Sequence, residues 1–491
     1  MSALNQLSLS PFEWTMSDRV TASPMEVVVR LDCAGVVDVE KFGEAISAEL
    51  KRQPLLQANA VVGQTHRRSY WQRASDCTPV IRWFEEDPDK GSGFPEDFVP
   101  IDLENEIGFR FYGWQFAVND QSRVIMKFVF HHACCDGKGA IGFIEHTFHR
   151  YHALLENQSA APSGLALIDE QRIFSRNLPA TNKLPVVDRI WRALVVRPKR
   201  VVKMLLSKPR LFSEKVGFSS EGDQSIFADP LRLCTTQLSI EETKQLGLFA
   251  RKLSATSNTI LVRELFHVLS DCFNSDSILF GDQRAKSEEA MVNHRSCDFR
   301  ILIPFSLRDQ RNSQMPSANC VSMVYLDASE KLLATDSRDD PALVADLVRQ
   351  MSFIRRWNLQ YSWIESIDFY AKVWPVARLF KFRQKNRLGS MAPIATAVMT
   401  NLGRSFSSSD LINSDGEMAT KSLVVKSVHV APPCNATVVV NFSVNFYGKR
   451  LTLDVNYLPT LLTPEAAERV LGLWKRRILD SVSEMPVDGR R

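Results

Sequence analysis

Several common patterns are missing from this sequence of 491 residues, and each absence narrows the choice of protein class. None of the nine cysteines forms a Cys-x-x-Cys pair, which disfavours a disulfide framework and favours a reducing compartment. No uncharged apolar run reaches about 18 residues, so no transmembrane helix is expected. The N-terminus lacks a basic start followed by an apolar core, so no signal peptide is predicted. We therefore expect a cytoplasmic protein.

An excess of charge of one sign is also missing. The chain has 60 Lys and Arg against 56 Asp and Glu, a formal net charge of +4. Nucleic-acid binding usually needs a concentrated basic face, so a nucleic-acid partner is not expected. No Gly-x-Ser-x-Gly occurs either, which disfavours a hydrolase with a nucleophile elbow. The length predicts two domains of roughly 200 residues each.

The clearest local pattern is a predicted β-hairpin. Two stretches rich in aromatic and β-branched residues, 108–118 and 122–132, are separated by the turn pair Asn119-Asp120. Apolar residues alternate along the second stretch, which places His132 on the apolar face of the strand and His131 on the opposite face. The hairpin therefore delivers two histidines to the end of one strand.

A helix is predicted after the hairpin, from about Gly139 to residue 156, because apolar residues recur there at steps of three and four. Three histidines, His146, His149 and His152, lie on it three residues apart. Such steps drift by about 60° around a helix, so the three side chains do not converge on one metal. We expect them on a solvated face and predict no metal site.

The chain divides near its middle. Residues 176–215 contain eleven Lys and Arg against two acidic residues, with prolines throughout, and predict a crossover between two halves. A glycine- and serine-containing stretch, 217–225, follows and marks the boundary. We therefore predict an N-terminal lobe at residues 1–216 that ends in this basic crossover, and a C-terminal lobe at residues 217–491.

The second half repeats the mixture of strands and helices. Ser257 or Asn258 is expected to cap one helix by accepting its free amide hydrogens. Thr463 and Pro464 are expected to be the N-cap and the first residue of the last helix. Gly448-Lys449 predicts the turn of a late hairpin.

The motif His131-His132-Ala133-Cys134-Cys135-Asp136-Gly137 resembles the His-His-x-x-x-Asp-Gly signature of the CoA-dependent acyltransferase superfamily. This superfamily includes chloramphenicol acetyltransferase, condensation domains of nonribosomal peptide synthetases, polyketide-associated acyltransferases and wax-ester synthases. The strings "IPFSLRDQRN" and "TNLGR" resemble later family motifs in the expected order. The resemblance implies an α/β fold of two chloramphenicol-acetyltransferase-like lobes, each a mixed sheet with helices, and an active-site channel between them.

The resemblance also implies a role for each motif residue. His132 corresponds to the general base, His131 to a structural residue under the site, and Asp136 to a carboxylate that pairs with an arginine, here Arg308. Gly137 is expected to allow a tight backbone turn. A histidine with a pKa near 6.5 can take a proton from the acceptor and return one to the thiolate at neutral pH. The acyl group would move directly, without an acyl-enzyme.

Two further assignments come from the chemistry that acyl transfer requires. The developing oxyanion needs a hydrogen-bond donor, and Thr400, Asn401 and Asn319 are candidates for oxyanion or substrate contacts. Cys134 and Cys135 suggest a thiol nucleophile as an alternative. They occupy variable positions of the motif, and nothing in the sequence predicts a lowered thiol pKa, so this alternative is disfavoured.

We therefore expect an acyltransferase that moves an acyl group from a CoA or carrier-protein thioester, its co-substrate, to a small alcohol or amine. No permanently bound cofactor is expected. A free-standing condensation-type protein that forms amides on carrier-bound substrates is one alternative, and a catalytically silent relative that binds acyl ligands is another. The motif Asp-Phe-Gly-Trp-Gly is missing, which disfavours the plant-type acyltransferases.

Two basic stretches, 189–210 and 372–387, mix Lys and Arg with large apolar residues. Three interpretations stay open: a solvated face, contact with the phosphates of coenzyme A, and peripheral contact with an anionic membrane.

Overall fold

The structure is a computed structural model. It describes residues 7–17, 24–90, 93–95, 97–157, 168–176, 185–196, 198–199, 209–210, 212, 231–275, 278–279, 298–308, 315–337, 341–366, 368, 395–407, 409–434, 438 and 440–483. The basic stretch 372–387 and the boundary stretch 217–225 lie outside these residues. The helices found within them are not long and apolar enough to cross a membrane.

The first half of the chain begins with strands and helices in alternation. In chain order they are β1 (Leu7–Ser8), α1 (Pro11–Thr15), β2 (Glu26–Gly35), α2 (Val39–Leu50), β3 (Ala58–Val61), β4 (Tyr70–Arg73), β5 (Val80–Phe84), β6 (Phe109–Val118), β7 (Gln121–His131), α3 (Gly137–Leu155) and α4 (Val186–Trp191), which a π-helical segment (Arg192–Val196) continues.

The second half follows the same mixed pattern. Its elements are β8 (Arg232–Gln237), α5 (Ile240–Lys252), α6 (Ser257–Asn274), β9 (Asp298–Ser306), β10 (Val321–Ser329), α7 (Glu330–Thr335), α8 (Ala342–Arg356), β11 (Ala397–Arg404), β12 (Leu423–Ala431), β13 (Val440–Tyr447), β14 (Arg450–Tyr457) and α9 (Pro464–Val482).

A mixed five-stranded sheet, in the order β12-β2-β7-β6-β5, forms the centre of the first lobe. The predicted hairpin is its β6-β7 pair, and Asn119 and Asp120 have φ of 48° and 61°, as a tight two-residue turn requires. Val124, Met126 and Phe128 point to the face that α2 and α3 cover, where all three are buried. The alternation predicted from the sequence therefore sets the face on which the core forms.

A mixed six-stranded sheet, in the order β10-β9-β11-β13-β14-β8, forms the centre of the second lobe. One face packs against α5, α6, α8 and α9, with Trp474 of α9 fully buried there. Thr463 caps α9 and Pro464 is its first residue, as predicted. The cap of α6 is Thr256 rather than Ser257 or Asn258, one residue earlier than expected. The predicted α/β class with two lobes, each a mixed sheet with helices, is confirmed.

One strand of the second half belongs to the sheet of the first lobe. β12 pairs antiparallel with β2 from Leu423 opposite Gly35 to Ala431 opposite Val28. The other side of β12 packs on β13 and β14 of the second sheet. The boundary predicted near residue 217 stays a prediction, because residues 213–230 are outside the described part.

A buried histidine marks this junction. His429 of β12 lies between Asp32 of β2, with Nε2 to Oδ2 at 3.2 Å, and Asp454 of β14, with Nδ1 to Oδ1 at 3.0 Å. The two carboxylates raise the pKa of His429 to about 9 despite the opposing effect of burial. A charged imidazolium therefore joins the two sheets.

Candidate active site

The motif starts where β7 ends. His131 is its last residue and is fully buried, and its Nδ1 accepts a hydrogen bond from the Ala133 amide at 3.2 Å. The His132 amide donates to the carbonyl of Met25, just before β2, at 2.6 Å. The backbone of both histidines is thus fixed at the end of β7, the central strand of the first sheet, since the His131 amide also donates to the Gly108 carbonyl at 3.0 Å.

The ring of His132 is half-buried and has one identified hydrogen bond. Its Nδ1 lies 3.1 Å from the carbonyl oxygen of Cys135. A carbonyl oxygen only accepts, so Nδ1 carries the proton and Nε2 is the basic nitrogen of the neutral ring. No described residue forms a hydrogen bond to Nε2. The geometry leaves this nitrogen available to accept a proton.

The pKa of His132 is lowered below its ordinary value near 6.5. Burial is the main cause, and it outweighs the opposing hydrogen bond to Cys135 and the charge of Asp136. A lowered pKa keeps the ring neutral at physiological pH, which is the form that a general base needs.

Asp136 does not contact the His132 ring. It is the N-cap of α3, where its Oδ1 accepts from the Gly139 amide at 2.7 Å, and its Oδ2 accepts from the Cys320 amide at 2.9 Å. Arg308 donates to both oxygens, at 3.2 and 3.3 Å. This buried carboxylate accepts four hydrogen bonds. Asp136 therefore holds the loop in place and does not orient the His132 imidazole.

Arg308 links this loop to the second lobe. Its guanidinium also donates to the carbonyl of Ala318 at 2.9 Å, and its pKa is raised by Asp136 against the effect of burial. Asn319 adds a second link, because its Nδ2 donates to the His132 carbonyl at 2.8 Å. The loop that carries His132 is therefore held by residues of both lobes.

Two glycines, Gly137 and Gly139, allow close contacts between the start of α3 and its neighbours. A Cβ on Gly137 would lie 2.5 Å from Cδ2 of Leu402 in β11. Gly137 is the first residue of α3 and its φ is not positive, so its backbone conformation does not require glycine, and this contact is what a side chain would block. Gly139, which the sequence analysis missed, would place a Cβ 3.1–3.2 Å from Cys135, Asp136 and Arg308. Its position two residues after Gly137 was the available signal.

The three candidate oxyanion donors have different surroundings. The Asn319 amide is occupied, since Nδ2 donates to His132 and to Met16 while Oδ1 accepts from Val321. The Asn401 amide bonds with Asn258 and with the Gly403 amide.

Thr400 differs from both. Its buried Oγ1 has no hydrogen-bond partner among the described residues. It lies on β11 two residues before Leu402, the residue that contacts Gly137, although the pairing of β11 with β13 is irregular between Asn401 and Arg404. Of the three candidates, Thr400 alone has a side-chain oxygen without a hydrogen-bond partner among the described residues.

The cysteine alternative has no support from the local environment. Cys134 and Cys135 are fully buried, and burial raises the pKa of both thiols well above the ordinary value. The Sγ of Cys134 also packs against Gly108, where a Cβ would lie only 2.2 Å away. Both thiols stay protonated, which is the inert form.

The histidines of α3 are not on a solvated face, contrary to expectation. His146 lies 3.1 Å from the buried carboxylate of Glu49 on α2, and His149 is buried with Nε2 3.0 Å from the Ser409 hydroxyl. These long-range partners could not be read from helical spacing. Within the described residues no group of His, Cys, Asp and Glu is arranged to hold a metal ion.

Models of protein families and curated protein sequences were both compared with the chain, and neither comparison finds a match. Solved structures do match. The first condensation domain of the calcium-dependent antibiotic synthetase is 14% identical, with a TM-score of 0.62 over 99% of this chain and 96% of that chain.

Two further structures match at the same level. A variant of the starter condensation domain of rhizomide synthetase, in complex with C8-CoA, has a TM-score of 0.63 at 12% identity, over 99% of this chain and 98% of that one. The trichothecene 15-O-acetyltransferase of Fusarium sporotrichioides has a TM-score of 0.63 at 10% identity, over 98% of both chains. The predicted resemblance is confirmed for the fold, which spans nearly the whole chain.

Proposed function

We propose that this chain, which has the fold of the condensation domains and CoA-dependent acyltransferases, transfers an acyl group from a CoA thioester to an alcohol, with Nε2 of His132 as the general base. One observation carries the proposal: the Cys135 carbonyl fixes the proton on Nδ1, and Nε2 of this half-buried ring has no hydrogen-bond partner among the described residues. The location supports it, because Asn319 and Arg308 of the second half of the chain hold the loop that carries His132.

The reaction follows from this tautomer. Nε2 takes the hydroxyl proton as the acceptor oxygen attacks the thioester carbonyl carbon, and a tetrahedral oxyanion forms. The C–S bond then breaks, the carbonyl is restored, and the imidazolium gives its proton to the departing thiolate. The products are an ester and free coenzyme A, and His132 returns to its neutral form.

The protein has to stabilise the oxyanion during this sequence. We assign that donor to the hydroxyl of Thr400, because its Oγ1 has no partner among the described residues and lies on the strand that touches the motif. Losing one such donor typically costs about 10²–10³ in rate. Asn319 and Asn401 are instead positioning residues, since their amides already hold other groups.

Two observations favour CoA and an alcohol among the substrates that the fold accepts. One structural neighbour is solved with C8-CoA, and another is named as an O-acetyltransferase. A carrier-protein thioester and an amine acceptor remain the second candidate, because another neighbour is a condensation domain solved with a substrate analogue. The same base chemistry serves both.

The experiment is release of free thiol from a panel of acyl-CoAs of different chain length, each mixed with pooled alcohols or pooled amines. We expect thiol release that depends on the alcohol pool and that His132→Ala abolishes. Thr400→Val, which removes only the hydroxyl, should lower kcat with little change in KM.

Activity that needs a carrier protein, or that appears only with amines, would favour the condensation-type alternative. Equal thiol release by wild type and His132→Ala would overturn the proposal. If the release by both proteins equals the protein-free background, the silent acyl-binding relative becomes the better interpretation.

A further inference from the structure

The helical segment at residues 186–196 presents its apolar side chains to solvent. Val187 is 76% exposed and Leu194 is 73% exposed, and Val186, Ile190 and Trp191 are 53–61% exposed. At 100° per residue the four of them in α4 span an arc of about 140° on the helix circumference, and Leu194 lies in the π-helical segment that follows. Exposed apolar residues grouped on one helix face usually mark an interaction site.

The opposite face of this segment holds it to the protein. Arg192 is buried there and donates to the carbonyls of Trp357 and Asn358, at 2.6 and 3.1 Å, and to both oxygens of Glu365, at 2.8 and 3.1 Å. Val196, also buried, joins the core of the second lobe. A surface helix usually buries apolar side chains and exposes charged ones. Here the charged Arg192 is buried and anchors the helix, and the apolar stripe faces solvent.

The charge of the surrounding sequence selects the kind of partner. The crossover at 176–215 has eleven Lys and Arg and two acidic residues. Arg176, Arg192 and Arg210 are paired with carboxylates of the protein. Arg189 and Lys199 are exposed. A second copy of this chain would bring the same excess of positive charge against it. An anionic lipid surface instead complements the charge, and the exposed Trp191 suits the membrane interface.

We propose that the apolar stripe of Val186, Val187, Ile190, Trp191 and Leu194, with the exposed Arg189 and Lys199, docks the protein on an anionic membrane surface. The stripe would insert into the headgroup region while lysine and arginine side chains contact lipid phosphates. This proposal is independent of the acyl transfer proposed above, so each can fail without the other.

The test is flotation of the full chain with vesicles of phosphatidylcholine alone or with phosphatidylglycerol added. We expect the wild type to float with the anionic vesicles, to bind the zwitterionic vesicles much more weakly, and to dissociate partly at high salt. The double variant Val187→Glu/Leu194→Glu should lower partitioning at least tenfold.

The matched control is Val36→Glu/Val99→Glu, which also replaces two exposed apolar residues with glutamate. Both valines lie in the first lobe, away from the stripe in sequence. It should float like the wild type. Failure of the wild type to float, or an equal loss in both double variants, would overturn the proposal. A wild type that fails to float but dimerises through the stripe in light scattering would assign the surface to a second copy instead.

A second measurement does not depend on how the acidic variant folds. Brominated lipid should quench part of the tryptophan emission of the wild type, and Trp191→Phe should lose that quenched part. Quenching that is the same in both proteins would place Trp191 away from the lipid and overturn the proposal.

Discussion

Two histidines of this protein differ in charge at neutral pH, because His132 is neutral and His429 is positively charged, and the difference lies in what their neighbours carry. His132 faces a backbone carbonyl, so burial dominates and its pKa falls. His429 lies between two carboxylates, and its pKa rises to about 9. A backbone carbonyl orients a neutral imidazole but does not stabilise a second proton on the ring. Two carboxylates do stabilise the doubly protonated, charged ring. The first arrangement suits catalysis, and the second suits a fixed structural link.

The largest expected effect is on the rate. His132→Ala should lower kcat/KM by roughly 10²–10⁴, because it removes the proposed general base. Its thermal unfolding should stay close to wild type, since the half-buried ring has one identified hydrogen bond. Thiol release and calorimetry on the same samples check this. A large loss of stability with little loss of rate would place His132 among the structural histidines.

His429→Ala should show the reverse pattern. It leaves Asp32 and Asp454 near each other without the cation between them, which typically costs about 3–5 kcal/mol of unfolding free energy. The rate per folded molecule should change by less than about tenfold. Urea unfolding checks the first statement. His429→Gln keeps hydrogen-bonding capacity without the charge, so equal stability of Gln and wild type would contradict the role of the charge.

Stability should also depend on pH through His429. Its folded pKa is raised from 6.5 to about 9, so its contribution is complete below pH 6.5 and is lost as pH rises through 9. A difference of that size corresponds to about 3 kcal/mol. Unfolding free energies measured from pH 6 to 10 should fall over this window in the wild type. They should fall less in His429→Ala, and identical slopes would refute the assignment.

The rate should depend on pH at acidic values, through the protonation of His132. His132 must be neutral to accept a proton, and its pKa is lowered by burial, so kcat/KM should fall only below pH 6.5. Below that pKa the rate should drop about tenfold per pH unit. A pH–rate profile at fixed ionic strength measures it. An acid limb centred above pH 6.5 would show that the ring is less buried in the working enzyme.

The smallest effect is expected at the two motif thiols. Cys134→Ala/Cys135→Ala should change kcat/KM by less than about twofold, because burial keeps both thiols protonated. Some stability is lost, since both side chains are buried. Loss of activity in this variant with His132→Ala still active would restore the thiol nucleophile.

The parts of the fold that follow local rules could be predicted from the sequence. Alternation along β7, the turn at Asn119-Asp120 and the cap at Thr463 depend on residues close together in the chain. The motif identified His132 because its spacing is local as well.

The remaining features depend on pairs that are far apart in the chain. Pairing of β12 with β2 joins segments almost 400 residues apart, as in the hydrogen bond between Ser427 and Asp32. The bond from His149 to Ser409 and the contact of Gly137 with Leu402 are of the same kind. No periodicity or propensity encodes these partners, so the sequence alone placed His149 on a solvated face and could not identify Leu402 as the neighbour of Gly137.

Strand β12 belongs to the second half of the chain but pairs with β2 in the sheet of the first lobe. This pairing limits where the chain can be cut into separate fragments. A fragment ending near residue 216 would lose the neighbour of β2 and leave that long strand as an open edge, a template for aggregation. The remaining fragment would carry β12 with no sheet to complete. Expression of the separate halves should give insoluble material, whereas mixing or co-expressing them offers each half the surface that it lacks.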